Sequence, residues 1–404
     1  MPVLAMLLVF LRIGCTAWGG FVALISVVRH EIVDRRKLIA EEDFLDDVAL
    51  AMVMPGPVAM NLVALVGHKL RGPWGSVLAT TAVTLPSFAL MLLLSFLFFG
   101  WGQSPMTDRF LVGIYPAIAA LIVHTAWGMR GKALGGWLDY TLAVLALLVT
   151  LLLQSLYGFL ALIALGGIYG LFTKPQNRTD AATTPETTPE RGPPLGWVHL
   201  LALVGVLTCL VSFVVPWPGQ AEPTLLALSS AVSGLSLMLF GGGFVFIPLI
   251  QDVFVGQFEW IETREFTTAI AMGQVTPGPI LISATFIGYK LGGVVGAALA
   301  TIAMFGPPAV LIVLTKSALA RYRHLATIAA FQAGVRVVIV GMIFAAGLTL
   351  MRSGLELTGD WTELLTLRRG TIAMLFLANL ILLRFFAARF VIFMLISGAV
   401  GMAV

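Results

Sequence analysis

The chain has 404 residues, of which 59% are hydrophobic and only 11% charged. Soluble domains carry roughly a quarter of charged residues, so this composition excludes a water-soluble enzyme or binding domain. The formal net charge of +4 is what Lys and Arg in cytoplasmic loops confer on a membrane protein, and no basic, aromatic-interleaved surface points to nucleic acid.

In chain order, Val3–Val28 reads as a first, uncleaved span, since Met-Pro-Val-Leu-Ala-Met has no basic n-region and no small-residue cleavage pattern follows. Arg12 lies in its middle. A charged stretch follows at Arg29–Asp43, then a hydrophobic segment, Phe44–Gly67, interrupted at Pro55-Gly56-Pro57. Trp74–Phe99 is a long apolar run with Pro86 at its centre. Phe110–Met129 carries His124, a titratable group at depth besides Arg12 and Arg336. Asp139–Leu153 and Leu151–Phe172 read as a tight helical hairpin. Thr173–Pro194, rich in Thr, Pro and charge, reads as a disordered linker. Apolar runs resume at Gly196–Val215 and Leu291–Leu314. Each is near the roughly 20 residues a spanning helix requires. Cys15 and Cys209 lie inside apolar segments and read as small buried hydrophobes rather than a disulfide or metal pair.

The two halves repeat each other. Gly19-Gly20-Phe21-Val22 recurs as Gly242-Gly243-Phe244-Val245, Pro55-Gly56-Pro57 as Pro277-Gly278-Pro279, and Gly67-His68-Lys69-Leu70 as Gly288-Tyr289-Lys290-Leu291. Gly75, Pro86 and Gly113 recur as Gly296, Pro307 and Gly334 at nearly the same offset. Internal repeats of this kind are the usual build of secondary transporters. The predicted fold is an all-α integral membrane protein of two repeated helical halves. Residues 1–172 form the first repeat, 173–195 the linker, and 196–404 the second repeat with one extra leading helix. The first charged stretch holds Arg29, Arg35, Arg36 and Lys37. Its equivalent, Gln251–Glu265, holds Arg264 against Asp252, Glu259, Glu262 and Glu265. By the positive-inside rule the two stretches face opposite sides, so the repeats are expected to be inverted.

The Pro-Gly-Pro segments carry the chemistry. Neither piece, before Pro55 or after Pro57, is long enough to span at about 1.5 Å per residue, and the prolines interrupt a continuous helix. A broken or re-entrant helix is expected, with Pro57 in the first turn of its second half. Irregular backbone at membrane depth is tolerated where it lines a cavity or is buried in protein. The new helix N-terminus would aim N–H groups and the positive dipole end at an anion. Gln274 and Thr276 precede the second break. Asn61 and Ser283 follow the two breaks by the same spacing and add neutral donors. Arg12 could pair with the anion, with an acid or with carbonyls. Lys69, Arg71 and Lys290 close the second half-helices, as the mouth of an anion path or as interfacial charges. Gly19, Gly20, Gly242 and Gly243 permit close backbone approach. No HExxH, GxSxG, Walker A or CxxCH motif is present, so no catalytic residue, metal or cofactor is assigned.

In order, Phe10-Leu11-Arg12-Ile13-Gly14, Trp18-Gly19-Gly20, Glu31, Glu42, Phe44-Leu45, Pro55-Gly56-Pro57 and Leu85-Pro86-Ser87 resemble the chromate ion transporter family. So do Leu239-Phe240-Gly241-Gly242-Gly243, Ile247-Pro248-Leu249-Ile250-Gln251, Gly273 through Pro279 and Phe286-Ile287-Gly288-Tyr289-Lys290. Phe21 and Met52 stand where that family often has proline and glutamine. The resemblance implies a multi-pass inner-membrane protein that lowers cytoplasmic chromate, built from oppositely oriented halves. Substrate contacts would fall on Arg12, the glycine pairs, both Pro-Gly-Pro motifs, Asn61, Gln274, Thr276 and Ser283. Implied partners are chromate or a sulfate-like oxyanion and the lipid bilayer; protons as a coupling ion and a homo-oligomer stay open. A sulfate carrier, a membrane enzyme or a sensor would use the same cavity.

Overall fold

The computed structural model describes residues 2–18, 20–101, 104–153, 156–173, 223–239, 246–322, 326–356, 367–386 and 389–403. The linker beyond Thr173, the run Gly196–Val215 with Cys209, and Gly19, Gly242 and Gly243 lie outside them. Every regular element among the described residues is helical. The first half contains α1 (Val3–Thr16), α2 (Gly20–Arg29), α3 (Glu41–Val53), α4 (Val58–Trp101), α5 (Pro105–Ala133), α6 (Trp137–Leu153) and α7 (Leu156–Thr173). The second contains α8 (Leu225–Leu237), α9 (Phe246–Ile250), α10 (Thr263–Val275), α11 (Ser283–Tyr322), α12 (Ala326–Glu356), α13 (Leu367–Phe386) and α14 (Phe390–Met402).

Local signals explain several starts. Ser104 caps α5 by accepting the Thr107 N–H at 3.3 Å, with Pro105 opening the helix. Thr224 caps α8 through the Ala227 N–H at 3.1 Å. Glu265 caps α10 by reaching back to the Glu262 N–H at 3.1 Å. Asp139, buried in the first turn of α6, accepts from the N–H groups of Gly135 and Gly136 at 2.7 and 3.2 Å.

Three expectations are corrected. Val3–Val28 is two helices rather than one span, because the chain leaves the helix at Ala17, where ψ is 76°. The Trp18 indole donates to the Cys15 carbonyl at 3.1 Å and caps the end. Cys15 is exposed on α1 rather than buried. The charged stretches are also more structured than loops. α2 runs on into a π-helical turn, His30–Arg35, and α9 into its counterpart, Gln251–Gln257. Each is closed by a matching reach-back bond, Leu38 N–H to the Ile32 carbonyl at 2.8 Å and Trp260 N–H to the Phe254 carbonyl at 2.9 Å.

Among the described residues, four helical segments are long and apolar enough to cross a membrane: Val58–Gly100, Arg109–Gly131, Ile280–Leu314 and Ala330–Arg352. The first and third are not single rods. Helical backbone fails at Arg71 and Gly72 (φ +65°) in α4, and at Gly292 and Gly293 (φ +58°) in α11. The Thr285 and Thr301 hydroxyls meet at 2.7 Å, although sixteen residues of straight helix would hold them about 24 Å apart. Each is therefore a helical hairpin, a short arm turning back beside a long one. Glycine permits the closure, since a Cβ at Gly67 would overlap the Gly75 carbonyl, and one at Gly288 the Gly296 carbonyl. Gly288→Leu is expected to destabilise the protein by about 1–3 kcal/mol through overpacking, read as a lowered melting temperature in detergent. Gly128→Ala, with open space at its Cβ, is expected to stay within about 0.5 kcal/mol of the parent.

The chain divides into two compact units, each drawing on both halves: Met1–Leu92, Gly167–Gly243 and Thr276–Gly334 in one, Leu93–Gly166, Phe244–Val275 and Val335–Val404 in the other. In the first, α8 lies along α11, and the buried Ser236 hydroxyl donates to the Met304 carbonyl. In the second, α5 packs on α13 and α14. A Cβ at Gly113 would overlap the Ser397 carbonyl, and Asn379 of α13 donates to the Ser397 hydroxyl at 2.8 Å.

Candidate functional site

The first Pro-Gly-Pro segment doubles back on itself. α3 ends at Val53, Met54 is extended (ψ 141°), Gly56 takes φ +108°, and α4 begins at Val58. At the far ends of these two pieces, Lys69 bonds the Asp43 carbonyl at 3.0 Å and pairs with the carboxylates of Asp43 at 3.4 Å and Asp47 at 3.1 Å. α3 and the short arm of α4 thus run antiparallel, with the break at their closed end. Lys69 is tied to acids there and is not a free cation. Pro57 precedes the helix rather than joining its first turn, since its carbonyl accepts the first helical bond, from Asn61 N–H at 2.8 Å.

The two breaks are held by reciprocal bonds. Gly56 N–H donates to the Leu239 carbonyl at 2.8 Å, just past α8. Gly278 N–H donates to the Ala17 carbonyl at 2.7 Å, just past α1. Leu239 follows the second-half equivalent of α1, so each break is fastened to the first helix of the other repeat. The second contact set matches. A Cβ at Gly56 would overlap the Pro308 ring, one at Gly278 would overlap the Ser87 hydroxyl, and Ser87 donates to the Pro277 carbonyl. Ser87 and Pro308 follow the repeated Pro86 and Pro307. The roles of Ala17, Leu239 and Ser87 were not read from sequence, although the repeat register pairs Ala17 with Leu239.

The expected donors divide into spent and open ones. The N–H groups of Gly56 and Gly278 are spent on carbonyls. The Asn61 side chain donates to the Pro55 carbonyl at 3.2 Å, and to those of Ala51 and Met54 at 3.5 Å. Ser283 donates to the Ile280 carbonyl at 2.7 Å. Both therefore stabilise the breaks, because each proton expected for an anion points at a carbonyl instead. No hydrogen bond from the N–H groups of Val58, Ala59, Met60, Ile280 or Leu281 is seen among the described residues, and all five residues are buried. Unpaired backbone donors at that depth are expensive without an acceptor. Thr276 is buried beside Pro277. Gln274, in the other unit, keeps a buried Nε2 without a partner among the described residues. Gly20 opens α2, while Gly19, Gly242 and Gly243 lie outside the described residues.

Arg12 belongs to a separate cluster of the same unit. Its side chain is 53% exposed and its Nε lies 3.4 Å from Glu31 Oε1. Arg35 Nη1 reaches both Glu31 oxygens, at 3.0 and 3.2 Å, and Arg36 Nε reaches Oε2 at 3.4 Å. Burial opposes the Glu31 charge, but the Arg35 and Arg36 bonds, with the charges of Arg35 and Arg12, hold its carboxyl below the usual range. One carboxylate against three guanidiniums leaves the cluster net positive. A cavity of about 350 Å³ opens beside it, lined by Arg12, Thr16, Ser26, Val27, His30 and Glu31. The acid is the partner that the sequence left open for Arg12.

Residues 4–171 and 226–402 match the family described as chromate transporter. The chain belongs to the chromate transporter family. Two matched regions accord with two repeated halves. The chain is 30% identical over 344 residues to the chromate transport protein of Pseudomonas aeruginosa, covering 84% of this chain and 79% of that one. It is 28% identical over 353 residues to the chromate transport protein of Cupriavidus metallidurans, covering 85% and 81%. A probable chromate transport protein of Synechococcus elongatus matches at 27% over 351 residues, covering 86% and 84%. No solved structure matches. Members of the chromate transporter family are transport proteins rather than enzymes, and this chain is a membrane protein of that kind.

Proposed function

We propose that this protein moves chromate out across the inner membrane as a secondary transporter, lowering the cytoplasmic concentration. The tetrahedral dianion binds at the Pro-Gly-Pro breaks near the membrane midplane. The observation that carries this reading is the pair of breaks at which buried residues just after Pro57 and Pro279 have N–H groups without a partner among the described residues. A dianion accepts several hydrogen bonds at once, and the helix N-termini offset part of its charge. The Arg12 cluster gathers the anion from one side, where its exposed guanidiniums raise the local anion concentration. Thr276, buried immediately before Pro277, flanks the second break.

Flux of radiolabelled chromate into proteoliposomes tests this, with unlabelled sulfate as competitor. Saturable chromate uptake is expected. Conversion of the anion without accumulation would make the protein an enzyme. Sulfate flux exceeding chromate flux would make it a sulfate carrier.

Inversion of the repeats is supported by the reciprocal bonds at Gly56 and Gly278 and by the charge contrast. It has its own test. Lys37 and Glu259 occupy matching left-handed turns, φ 51° and 54°, and both are exposed. In a background lacking Cys15 and Cys209, a cysteine at Lys37 is expected to react only from the cytoplasm and one at Glu259 only from outside. Labelling of both from one side rules inversion out.

A further inference from the structure

Each π-helical turn holds one buried acid, and the surroundings of the two differ. Glu31 in the first half and Asp252 in the second are each the second residue of their π-helical turns, one position apart in the repeat register. Both are buried, at 4% and 8% exposure. Glu31 is clamped by Arg12, Arg35 and Arg36. None of those cations recurs. Gly234 stands at the Arg12 position, and Gln257, Phe258 and Glu259 occupy the places of Arg35, Arg36 and Lys37. Among the described residues no ion pair or hydrogen bond reaches Asp252.

The charged groups around its turn have other places. α9 has no titratable residue. On α10, Glu265 takes the Glu262 N–H at 3.1 Å, and Arg264 lies 5.6 Å over the Phe98 ring. Glu259 is on the exposed left-handed turn. Phe254 and Phe258 gather on Trp260, with ring centroids 5.6 and 4.6 Å away, giving this turn an apolar end. A carboxylate buried without a cation is stabilised by protonation. Burial pushes the Asp252 carboxyl up to about 7. It therefore carries a proton below neutral pH and loses it above, while Glu31 stays ionised.

We propose that Asp252 is the group that binds and releases the coupling proton of transport. The proposal rests on the transporter reading above. One half offers a permanently charged carboxylate that holds three arginines in place. The other offers a carboxylate whose charge changes by one when a proton arrives. Such a charge change shifts the balance between two conformations when they differ in affinity for the proton, and the anion is coupled through the same balance.

The test separates exchange from gradient-driven accumulation in proteoliposomes. The parent protein is expected to accumulate chromate in response to an imposed pH gradient, with a rate that inflects near pH 7. Asp252→Asn is expected to lower gradient-driven accumulation at least about tenfold and to abolish the inflection, while chromate–chromate exchange stays within about twofold. Asp252→Glu is expected to restore gradient-driven accumulation. His124→Gln, at the half-buried histidine of α5, is expected to keep it. Full gradient-driven accumulation by Asp252→Asn overturns the proposal. Loss of exchange as well, without rescue by Asp252→Glu, assigns Asp252 to the structure or the anion site and also overturns it. Coupling lost in His124→Gln but kept in Asp252→Asn moves the proton to the histidine. Chromate exchange by the parent with no response to a pH gradient refutes proton coupling but leaves the transport reading intact. Absence of all chromate movement refutes the transport reading itself.

Discussion

Gly278→Val is expected to abolish chromate flux, by at least about a hundredfold, and to destabilise the fold. Three effects act together. Gly278 has φ +97°, a backbone conformation that costs a β-branched residue about 1–3 kcal/mol. A Cβ there would overlap the Ser87 hydroxyl, which is bonded to the Pro277 carbonyl. Any shift that relieves the overlap stretches the 2.7 Å bond from Gly278 N–H to the Ala17 carbonyl. The break would then drift from the first helix of the other repeat, and the donors after Pro279 would lose their aim. Gly56→Val is expected to behave alike, through the Pro308 ring and the Leu239 carbonyl. Gly72→Ala separates strain from the site: it has φ +65° with open space around its Cβ, so it should cost about 1 kcal/mol and keep flux. Replacing either whole Pro-Gly-Pro motif by three alanines should give an inserted, inactive protein. Bound chromate in an experimental structure should lie within hydrogen-bonding distance of N–H groups following Pro57 or Pro279. Density elsewhere, with full transport by both triple-alanine variants, would refute the placement.

Arg12→Ala is expected to abolish flux while leaving insertion and melting temperature nearly unchanged. The guanidinium is half exposed, so its pair with Glu31 should contribute only about 0.2–1 kcal/mol to stability. Glu31 also keeps Arg35 and Arg36. What disappears is a cation lining the 350 Å³ cavity. Arg12→Lys keeps the charge but not the fork geometry, and should restore part of the flux. Glu31→Gln is the complementary case. It leaves three guanidiniums facing one another without their anion, so stability should fall by about 1–3 kcal/mol. Undiminished flux in Arg12→Ala, with normal membrane abundance, would reduce Arg12 to a structural partner of Glu31.

The positions of the breaks were legible because their signals are local. Two prolines around a glycine stop a helix wherever they stand, and two such stops in register marked both breaks. Legibility failed where a polar group had a choice of partners. Asn61 and Ser283 looked like anion donors, yet both turn their protons to carbonyls that the breaks release from helical bonding. Arg12 could be placed in an apolar run but not against Glu31, because that pairing depends on how the chain turns at Ala17 and folds α2 back. Asp252 drew notice only as one acid in a charged stretch. Its isolation becomes visible when its burial is compared with the clamped Glu31.

The sequence by itself determined the membrane class, the all-helical build, the internal repeat and the positions of the breaks. Each follows from run length, from the missing N–H of proline or from repetition of short motifs, and none requires knowing what lies opposite. The tertiary structure alone decided that α4 and α11 are hairpins, that each break is bonded to the first helix of the other repeat, and which N–H groups stay open. These depend on carbonyls and glycine faces brought together from distant parts of the chain. A hydrogen bond such as Gly278 to Ala17 has no local signature, because either group would bond equally well to whatever acceptor or donor the packing placed within reach.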